Sequence, residues 1–346
     1  MSKAVINYYL VAADKILFMA AEGGGDIVRF TYTGADGEVI PWNATHIFVK
    51  AKVIREEAFR NHRNIVEVIC HEDVEKIENH AFQDCPSLRR VVMRGVKIVE
   101  RFAFYWCEAL EDVECDKLEI IDYGAFVYCT SLRSINLPSA RVVGLEAFLG
   151  CKALSDVKFG SKLERIEERT FQECINLERI TIPLKDGLFE HDDTFRKCDD
   201  LSQVDLVKGE VHEIIAALHL EEWRNDMIKE IDSINQILPG AYAGEWDTDD
   251  AEEDDVGDKA REIRRWIRLV LRKIIRYQAE HRRLLDDAAS TLGRVFSQDI
   301  VMNNVLPFLE LPPYTFDVGG DDEEEEEDSD DEMQLSESSL REEEED

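Results

Sequence analysis

The sequence predicts an α/β protein: a repeat solenoid with a parallel sheet, a β cap before it, a helical hairpin after it, and a disordered acidic tail. Two observations predict the solenoid. A phenylalanine recurs in seven copies at intervals of 22 to 24 residues, and the residues around it repeat their type at fixed offsets. Repeats of this length bury their apolar faces only by stacking on one another. These phenylalanines are Phe59, Phe82, Phe104, Phe126, Phe148, Phe171 and Phe195.

Apolar residues occupy the same offsets in nearly every copy. Leu or Ile stands six residues after the phenylalanine, Val or Ile nine after it, and Ile or Val five before it in six of the seven copies. The segment from six to eleven residues after the phenylalanine alternates apolar and polar, as in "LRSINL" at 132–137, and this period predicts a strand. Each copy therefore adds one strand to a parallel sheet, and we expect the far side of the coil to be a short turn or helix.

These residues resemble the BspA-like leucine-rich repeats. The shared pattern is I-E-x-x-A-F-x-x-C-x-x-L-x-x-V-x-L, which is clearest in residues 77–93 and 121–137. The resemblance covers about residues 45–207, and it implies a solenoid with recognition surfaces. Together with the sequence patterns on either side of it, the repeat divides the chain into a cap at 1–49, repeats at 50–207, a helical region at 208–318 and the tail at 319–346.

A cysteine stands three residues after the phenylalanine in six copies, and His62 replaces it in the first. A zinc site needs four ligands that converge on one point. One cysteine per coil instead forms a ladder along the solenoid axis, so we favour buried structural thiols over metal binding or disulfides. The ladder comprises Cys85, Cys107, Cys129, Cys151, Cys174 and Cys198.

No catalytic motif and no cofactor motif stands out, and the sequence therefore predicts a protein that is not an enzyme and binds no cofactor.

The two ends of the repeats show different patterns. Residues 26–42 predict two strands around a turn at Ala35 to Gly37, and residues 45–49 predict the first strand of the sheet. Beyond residue 206 the apolar spacing becomes three and four, which predicts a helix from Leu220 to Leu238 and a second helix from about Asp258 to Leu292. We expect these two helices to pack antiparallel as a C-terminal cap.

The charge is unevenly distributed. The chain has 41 Lys and Arg against 75 Asp and Glu, a net charge of −34. Residues 245–258 carry nine acids and no base, and residues 320–346 carry seventeen acids and one arginine, whereas residues 259–285 carry ten bases and two acids. So much acid disfavours nucleic acid as a partner of the whole chain. No uncharged apolar run is long enough to span a membrane, and no secretion signal stands out, so we expect a cytoplasmic or nuclear protein.

Three segments near the C-terminus leave alternatives open. The basic helix at 259–285 suits a calmodulin-like protein, an anionic membrane or nucleic acid, but we favour pairing with the chain's own acids. Residues 297–309 loosely resemble the first helix of an F-box, although a packing helix is the simpler interpretation. Ser329 lies among acids and is a candidate phosphorylation site; an unmodified solubilising tail is the alternative.

Side chains eight and ten residues after each phenylalanine should face outward on the concave sheet, where their types vary freely. We expect this row to bind a protein or peptide, with Ile69, Val92, Arg90 and Arg94 as anchors beside an acidic patch. One alternative is an acidic-tail binder or chaperone of basic proteins such as histones, and a weaker one is a ubiquitin-ligase adaptor. The candidate binding residues are Glu67, Ile69, Arg90, Val92, Arg94, Asp112, Glu114, Asp116, Asn136, Lys158 and Arg179.

Overall fold

The computed structural model describes residues 11–12, 15–16, 27–209, 215–216, 220–239 and 259–294. Residues 53–206 form a solenoid whose coils contain a long strand, a turn that carries the repeat phenylalanine and, in all but the last coil, a short strand. The predicted parallel solenoid is therefore confirmed. The predicted acidic tail, residues 297–309 and Ser329 lie outside the described residues.

The long strands run parallel along one side of the solenoid. The ladder is interrupted once, between β10 and β12, so these strands form two sheets of five and four strands where the sequence predicts one sheet. The long strands are β3 (Arg29–Tyr32), β4 (His46–Val49), β6 (Glu67–Cys70), β8 (Arg90–Val92), β10 (Asp112–Glu114), β12 (Ser134–Leu137), β14 (Asp156–Phe159), β16 (Arg179–Ile182) and β17 (Gln203–Leu206).

A second parallel sheet lies opposite the long strands, and the sequence does not predict it. Its six strands are only two residues long, and the second residue of each is the buried Ile or Val five positions before the phenylalanine. A run of two residues is too short to show an alternating pattern. These strands are β5 (Val53–Ile54), β7 (Lys76–Ile77), β9 (Ile98–Val99), β11 (Ile120–Ile121), β13 (Val142–Val143) and β15 (Arg165–Ile166).

The repeat phenylalanines form one continuous stack through the core. Neighbouring rings are 4.9 to 5.6 Å apart and lie within 9° of parallel. The cysteine of each coil is buried beside this stack, and its thiol donates a hydrogen bond to the phenylalanine carbonyl of the preceding coil, as Cys129 does to Phe104 at 3.3 Å. Most of these carbonyls also accept the backbone N–H three residues later, so the thiol is a second donor that links each coil to the preceding one.

The turn around each phenylalanine has a recurring left-handed backbone. The residues two before and two after the phenylalanine have φ between 53° and 69° in most coils, and only Gly124 and Gly150 among them are glycines. The turns of adjacent coils are joined by backbone hydrogen bonds, as from Phe82 N to Ala103 O at 2.7 Å. A left-handed residue costs about 1–2 kcal/mol, and this regular ladder holds it in place.

The N-terminal end differs from the prediction of two strands around a turn. β3 is a strand, but residues 38–42 are not, because they form a loop that returns the chain to β4. β3 pairs parallel with β4 in the register Tyr32 to Val49, so the first long strand is β3 and not residues 45–49. Further upstream, β1 (Val11–Ala12) and β2 (Lys15–Ile16) pair antiparallel.

Two helices near the C-terminus match the predicted hairpin. They are α1 (Glu221–Ile237) and α2 (Lys259–Leu292), and a short 3-10 helix (Asp192–Phe195) precedes them in the last coil. Trp223 stacks on Tyr277 at 5.1 Å, and the indole nitrogen of Trp266 donates to the carbonyl of Glu230 at 2.7 Å. The earlier residue of α1, Trp223, contacts the later residue of α2, and Glu230 further along α1 contacts the earlier one, so the helices are antiparallel.

The start of α2 closes the end of the repeats through a buried lysine. The Lys259 ammonium donates to the carbonyls of Cys198, Asp199 and Leu201 at 2.7 to 2.9 Å. Burial lowers the pKa of Lys259, and the nearby charges oppose that shift. The side chain of Asn235 in α1 accepts a hydrogen bond from Val204 of the last strand at 2.8 Å. Both helices therefore cover the final coil.

Candidate functional site

The strand face is the row of outward side chains on the long strands, two from each strand. In-register pairing places the equivalent side chains of successive coils next to one another, as Glu67, Arg90 and Asp112 are. The inward residues between them are buried and apolar. The ladder therefore fixes the position of each outward side chain, whose type is free to differ from coil to coil.

Arg90 is the centre of an ion-pair network on the strand face. Its guanidinium contacts Glu67 and Asp112, each at 3.0 Å, and also Glu114. Arg94 contacts Glu114 as well and lies 4.0 Å from Asp116. Burial raises the pKa of Glu114, but the hydrogen bonds from Arg94 and Arg90 outweigh it and hold that pKa below its ordinary 4.5. The predicted basic anchors and the predicted acidic patch are thus one network whose charges offset each other.

Apolar residues occupy the N-terminal part of the strand face. Ile69 lies between Phe48 and Val92 in the register of the sheet, and all three side chains are half-buried. Phe48 packs edge-on against His71 at 6.5 Å, and the Lys50 ammonium lies 5.8 Å from its ring centroid. The row of outward side chains that the sequence predicts begins at Glu67 and does not include Phe48, because the sequence places residues 45–49 in the N-terminal cap.

The C-terminal part of the strand face is more exposed. The side chains of Asn136, Lys158 and Arg179 all reach solvent. Arg179 donates to Gln203 at 2.8 Å and lies 3.6 Å from Asp205, and Lys158 pairs with Asp156. All eleven predicted residues therefore lie on or beside the strand face, but those before and after the sheet interruption at β10 do not form one cluster.

The aromatic turn patch, formed by Phe102, Tyr105, Trp106, Tyr123 and Tyr128, lies on the turns and was missed from the sequence. Phe102 is 4.7 Å from Tyr123 and 5.4 Å from Tyr105, and Trp106 is 5.5 Å from Tyr105 and 6.3 Å from Tyr128. Trp106 is 47% exposed. Burial raises the pKa of Tyr105 and of Tyr123, and the negative charge of Glu146 raises the pKa of Tyr123 further.

Two glycines make room for the aromatic turn patch. A Cβ at Gly124 would lie 2.6 Å from the Phe102 ring, and one at Gly150 would lie 2.4 Å from the Tyr128 ring. Each ring therefore lies directly against the glycine of the next coil. A signal was present in the sequence, because "RFAFYW" at 101–106 and "YGAFVY" at 123–128 place aromatic residues around two successive repeat phenylalanines.

The described residues contain no group of His, Cys, Asp and Glu side chains that could hold a metal ion. The eight cysteines are all buried. Burial raises the pKa of Cys70, Cys115 and Cys151 to about 12, and raises that of Cys107, Cys129 and Cys174 well above its ordinary value. A thiol held protonated at neutral pH is a poor nucleophile and a poor metal ligand.

The family can be assigned from this repeat structure together with a sequence match. The model of the BspA type leucine rich repeat region matches six copies, in residues 43–148 and 119–237, which together span more than half of the chain. The chain belongs to the BspA-type leucine-rich repeat family. Leucine-rich repeat proteins generally act as scaffolds for protein interaction, and nothing in the match identifies a partner of this one.

Solved structures also resemble this BspA-type chain. A leucine-rich repeat protein from Bacteroides ovatus is 25% identical, with a TM-score of 0.38, over 52% of this chain and 42% of the other. A leucine-rich repeat protein from T. pallidum is 22% identical, with a TM-score of 0.30, over 52% of this chain and 70% of the other. This chain thus spans less than half the length of the Bacteroides protein, and comparison with curated proteins yields no match.

The predicted absence of a membrane span can be examined for the part of the chain that the structure describes. Neither α1 nor α2 has a stretch that is long and apolar enough to cross a bilayer.

Proposed function

We propose that this chain is a protein-recognition scaffold whose strand face binds a protein or a peptide. One observation carries the proposal: the inward column of each strand keeps one residue class in every coil, whereas the outward side chains differ in every coil. A rigid ladder that presents a varied row of side chains can encode specificity along an extended surface.

The ion-pair network supports this use of the strand face. Arg90 is only 25% exposed and is oriented by three carboxylates, so binding would immobilise it at little further entropic cost. Arg94, Asp112 and Asp116 remain mostly exposed at its edge and can contact a partner. Half-buried Ile69 and Val92 add apolar area beside these charges.

The test compares two charge-reversed pairs in affinity purification with mass spectrometry. One variant carries Lys158→Glu and Arg179→Glu on the strand face, and the matched control carries Lys97→Glu and Lys152→Glu at exposed positions elsewhere on the coils. Proteins captured by the parent and the control but lost from the strand-face variant would support the proposal. Identical sets of captured proteins from both variants would reject the C-terminal part of the strand face as the binding surface, and the same comparison with Arg94→Glu in place of these two substitutions tests the part around Arg90.

The aromatic turn patch is a second candidate binding surface on the same scaffold. Tyr105, Trp106 and Tyr128 make no hydrogen bond through their polar groups within the described residues, and exposed Trp and Tyr are typical of interface hot spots. The same purification with Trp106→Ala distinguishes the two surfaces. Binding of basic proteins by the acidic tail and recruitment of a ubiquitin ligase by residues 297–309 stay predictions.

A further inference from the structure

Four arginines form a straight ridge along α2: Arg265, Arg272, Arg276 and Arg283, called here the arginine ridge. Their spacing of 7, 11 and 18 residues from the first corresponds to about two, three and five turns of helix, so they project in one direction. All four are exposed, and they lie on the side of the helix opposite the buried Ile263, Val270 and Ile274. The ridge is about 27 Å long at 1.5 Å per residue.

Four of the other basic residues of α2 pair with acids of the folded body. Arg261 and Arg264 contact Asp192, and Arg268 contacts Asp186 at 3.2 Å. Lys273 contacts Asp226 at 3.2 Å and also Glu230 in α1. The predicted pairing of the basic helix with the chain's own acids is therefore present on the sides of α2 that face the repeats and α1.

The arginine ridge does not share in this pairing. Arg265, Arg272 and Arg283 make no ion pair with any described residue, and Arg276 pairs only with Glu280 of the same helix, at 3.1 Å. Leu269, beside the ridge, is 44% exposed. Four aligned cations with exposed apolar side chains nearby form a surface suited to an extended acidic segment that also carries apolar residues.

The chain itself contains such a segment. Residues 320–346 hold seventeen acids against Arg341, a net charge of −16, and include Met333, Leu335 and Leu340. Residues 295–319 join it to the described end of α2, and 25 residues can reach about 80 Å at roughly 3.3 Å each. The far end of the ridge, Arg265, lies 29 residues before Arg294, or about 44 Å along the helix. The connection is therefore long enough for the tail to reach the whole ridge.

We propose that the acidic tail, residues 320–346, binds the arginine ridge within the same molecule. A tethered segment meets the ridge at a raised effective concentration, so many weak arginine–carboxylate contacts suffice. The tail then covers the only row of α2 arginines that has no partner on another described element. It also competes with any external anion for the ridge. The proposal does not depend on the strand face being a binding surface.

The experiment measures the distance between two nitroxide labels on the full chain by pulsed electron resonance. Ser290→Cys places one label on α2 beyond the ridge, and Ser329→Cys places the other in the tail. The eight native cysteines are buried, so the two new thiols react selectively. A bound tail gives a narrow distance distribution that broadens with added salt. A tail that binds nothing gives a broad distribution centred near about 35 Å, the value for a 39-residue coil.

Two variants with equal charge change decide between a specific contact and general attraction. The ridge variant replaces Arg265, Arg272, Arg276 and Arg283 by Gln, and the control replaces the exposed Arg60, Arg63, Arg89 and Arg133 by Gln. The proposal expects the ridge variant alone to broaden the distribution to the coil limit. Equal broadening in both, or none in the ridge variant, overturns it. Thermal unfolding checks that both variants fold.

A third variant, with substitutions in the acidic tail, tests whether the tail is the segment that binds the arginine ridge. Replacing Glu323 to Glu327 by Gln leaves α2 intact and should broaden the distribution as the ridge variant does. It should also raise the affinity of the chain for vesicles of anionic phospholipid and for duplex DNA, because the ridge becomes accessible. An unchanged distribution, or equal binding of these anions by the parent and the tail variant, would overturn the proposal.

Discussion

The strand face and the aromatic turn patch lie on the same coils but are built on different interactions. On the strand face, most charged side chains pair with an opposite charge, and Arg90 does so with Glu67 and Asp112 of the neighbouring coils. On the turns, aromatic rings stack on one another and leave Trp106 nearly half exposed. The first surface satisfies its own charges and offers specificity, whereas the second leaves apolar area that only a partner could bury.

The substitution with the largest expected effect, Phe126→Ala, disrupts both surfaces at once. Phe126→Ala opens a cavity in the middle of the phenylalanine stack, between rings that now lie 5.0 and 5.2 Å away. Loss of a buried phenylalanine costs about 3–5 kcal/mol, so the melting temperature should fall steeply and the near-ultraviolet signal of the aromatic turn patch should disappear with it. Circular dichroism melting measures both. A small shift that spares one surface would show that the two surfaces do not share a core.

The next substitution, Gly150→Ala, disturbs only the turns and so distinguishes the two surfaces. Gly150→Ala brings a Cβ within 2.4 Å of the Tyr128 ring at φ +69°, so the ring must move. The matched control is Gly37→Ala, which has φ +75° and nothing within 4 Å of the added carbon. Both substitutions cost about 1–2 kcal/mol for the left-handed backbone, and only Gly150→Ala should change the aromatic near-ultraviolet signal as well. Equal spectra for the two variants would mean that Tyr128 does not lie over Gly150.

Much of the fold could be predicted from the sequence because the core repeats. Each of the seven repeats has a phenylalanine, such as Phe126, with apolar residues at the same offsets around it. Only a stack of coils buries all of these residues. The short strands, such as β11 (Ile120–Ile121), could not be predicted, because two residues carry no periodicity. The strand at Arg29 to Tyr32 is predicted, but its place in the sheet of long strands is not, because these residues lie outside the phenylalanine repeat and only their pairing with β4 makes them part of that sheet.

The candidate site was harder to predict than the fold. Alternation shows that Arg90 and Asp112 face outward, but not that they contact each other, because contact depends on the register between coils. The aromatic turn patch depends on Gly124 and Gly150 in the following coils, so no single repeat reveals it. Lys259 could not be recognised as a buried anchor, because its partners are backbone carbonyls 58 to 61 residues away.

A smaller effect concerns the charges of the strand face. Arg90→Gln leaves Glu67, Asp112 and Glu114 without their shared cation and should reduce the free energy of unfolding by about 1 kcal/mol at pH 7. The control Arg141→Gln removes one exposed pair with Glu164, and we expect about half a kcal/mol or less from it. Urea unfolding of both variants measures the difference.

The pH dependence of that difference tests its cause. Because the pKa of Glu114 is lowered in the fold, its ionised form stabilises the protein above the unfolded value of 4.5, and this contribution is lost as the pH falls through the lower, folded value. The gap in stability between the parent and Arg90→Gln should therefore shrink below pH 4.5. A gap that stays constant down to strongly acidic pH would show that Arg90 acts through packing and not through its charge.

The last comparison is at Trp106, where two substitutions separate backbone strain from ring packing. Trp106 has φ +58°, a conformation that glycine adopts without strain, so Trp106→Gly relieves about 1 kcal/mol while it removes contacts of a half-exposed ring. Trp106→Ala loses the same contacts and keeps the strain, and it should therefore be the less stable variant by about 1 kcal/mol. Thermal unfolding ranks them, and an alanine variant at least as stable as the glycine variant would contradict the left-handed turn. Both variants remove the indole from the aromatic turn patch and leave the strand face unchanged. A partner that both variants lose, and that Lys158→Glu with Arg179→Glu retains, must bind through the turns, since the two surfaces share only the core beneath them.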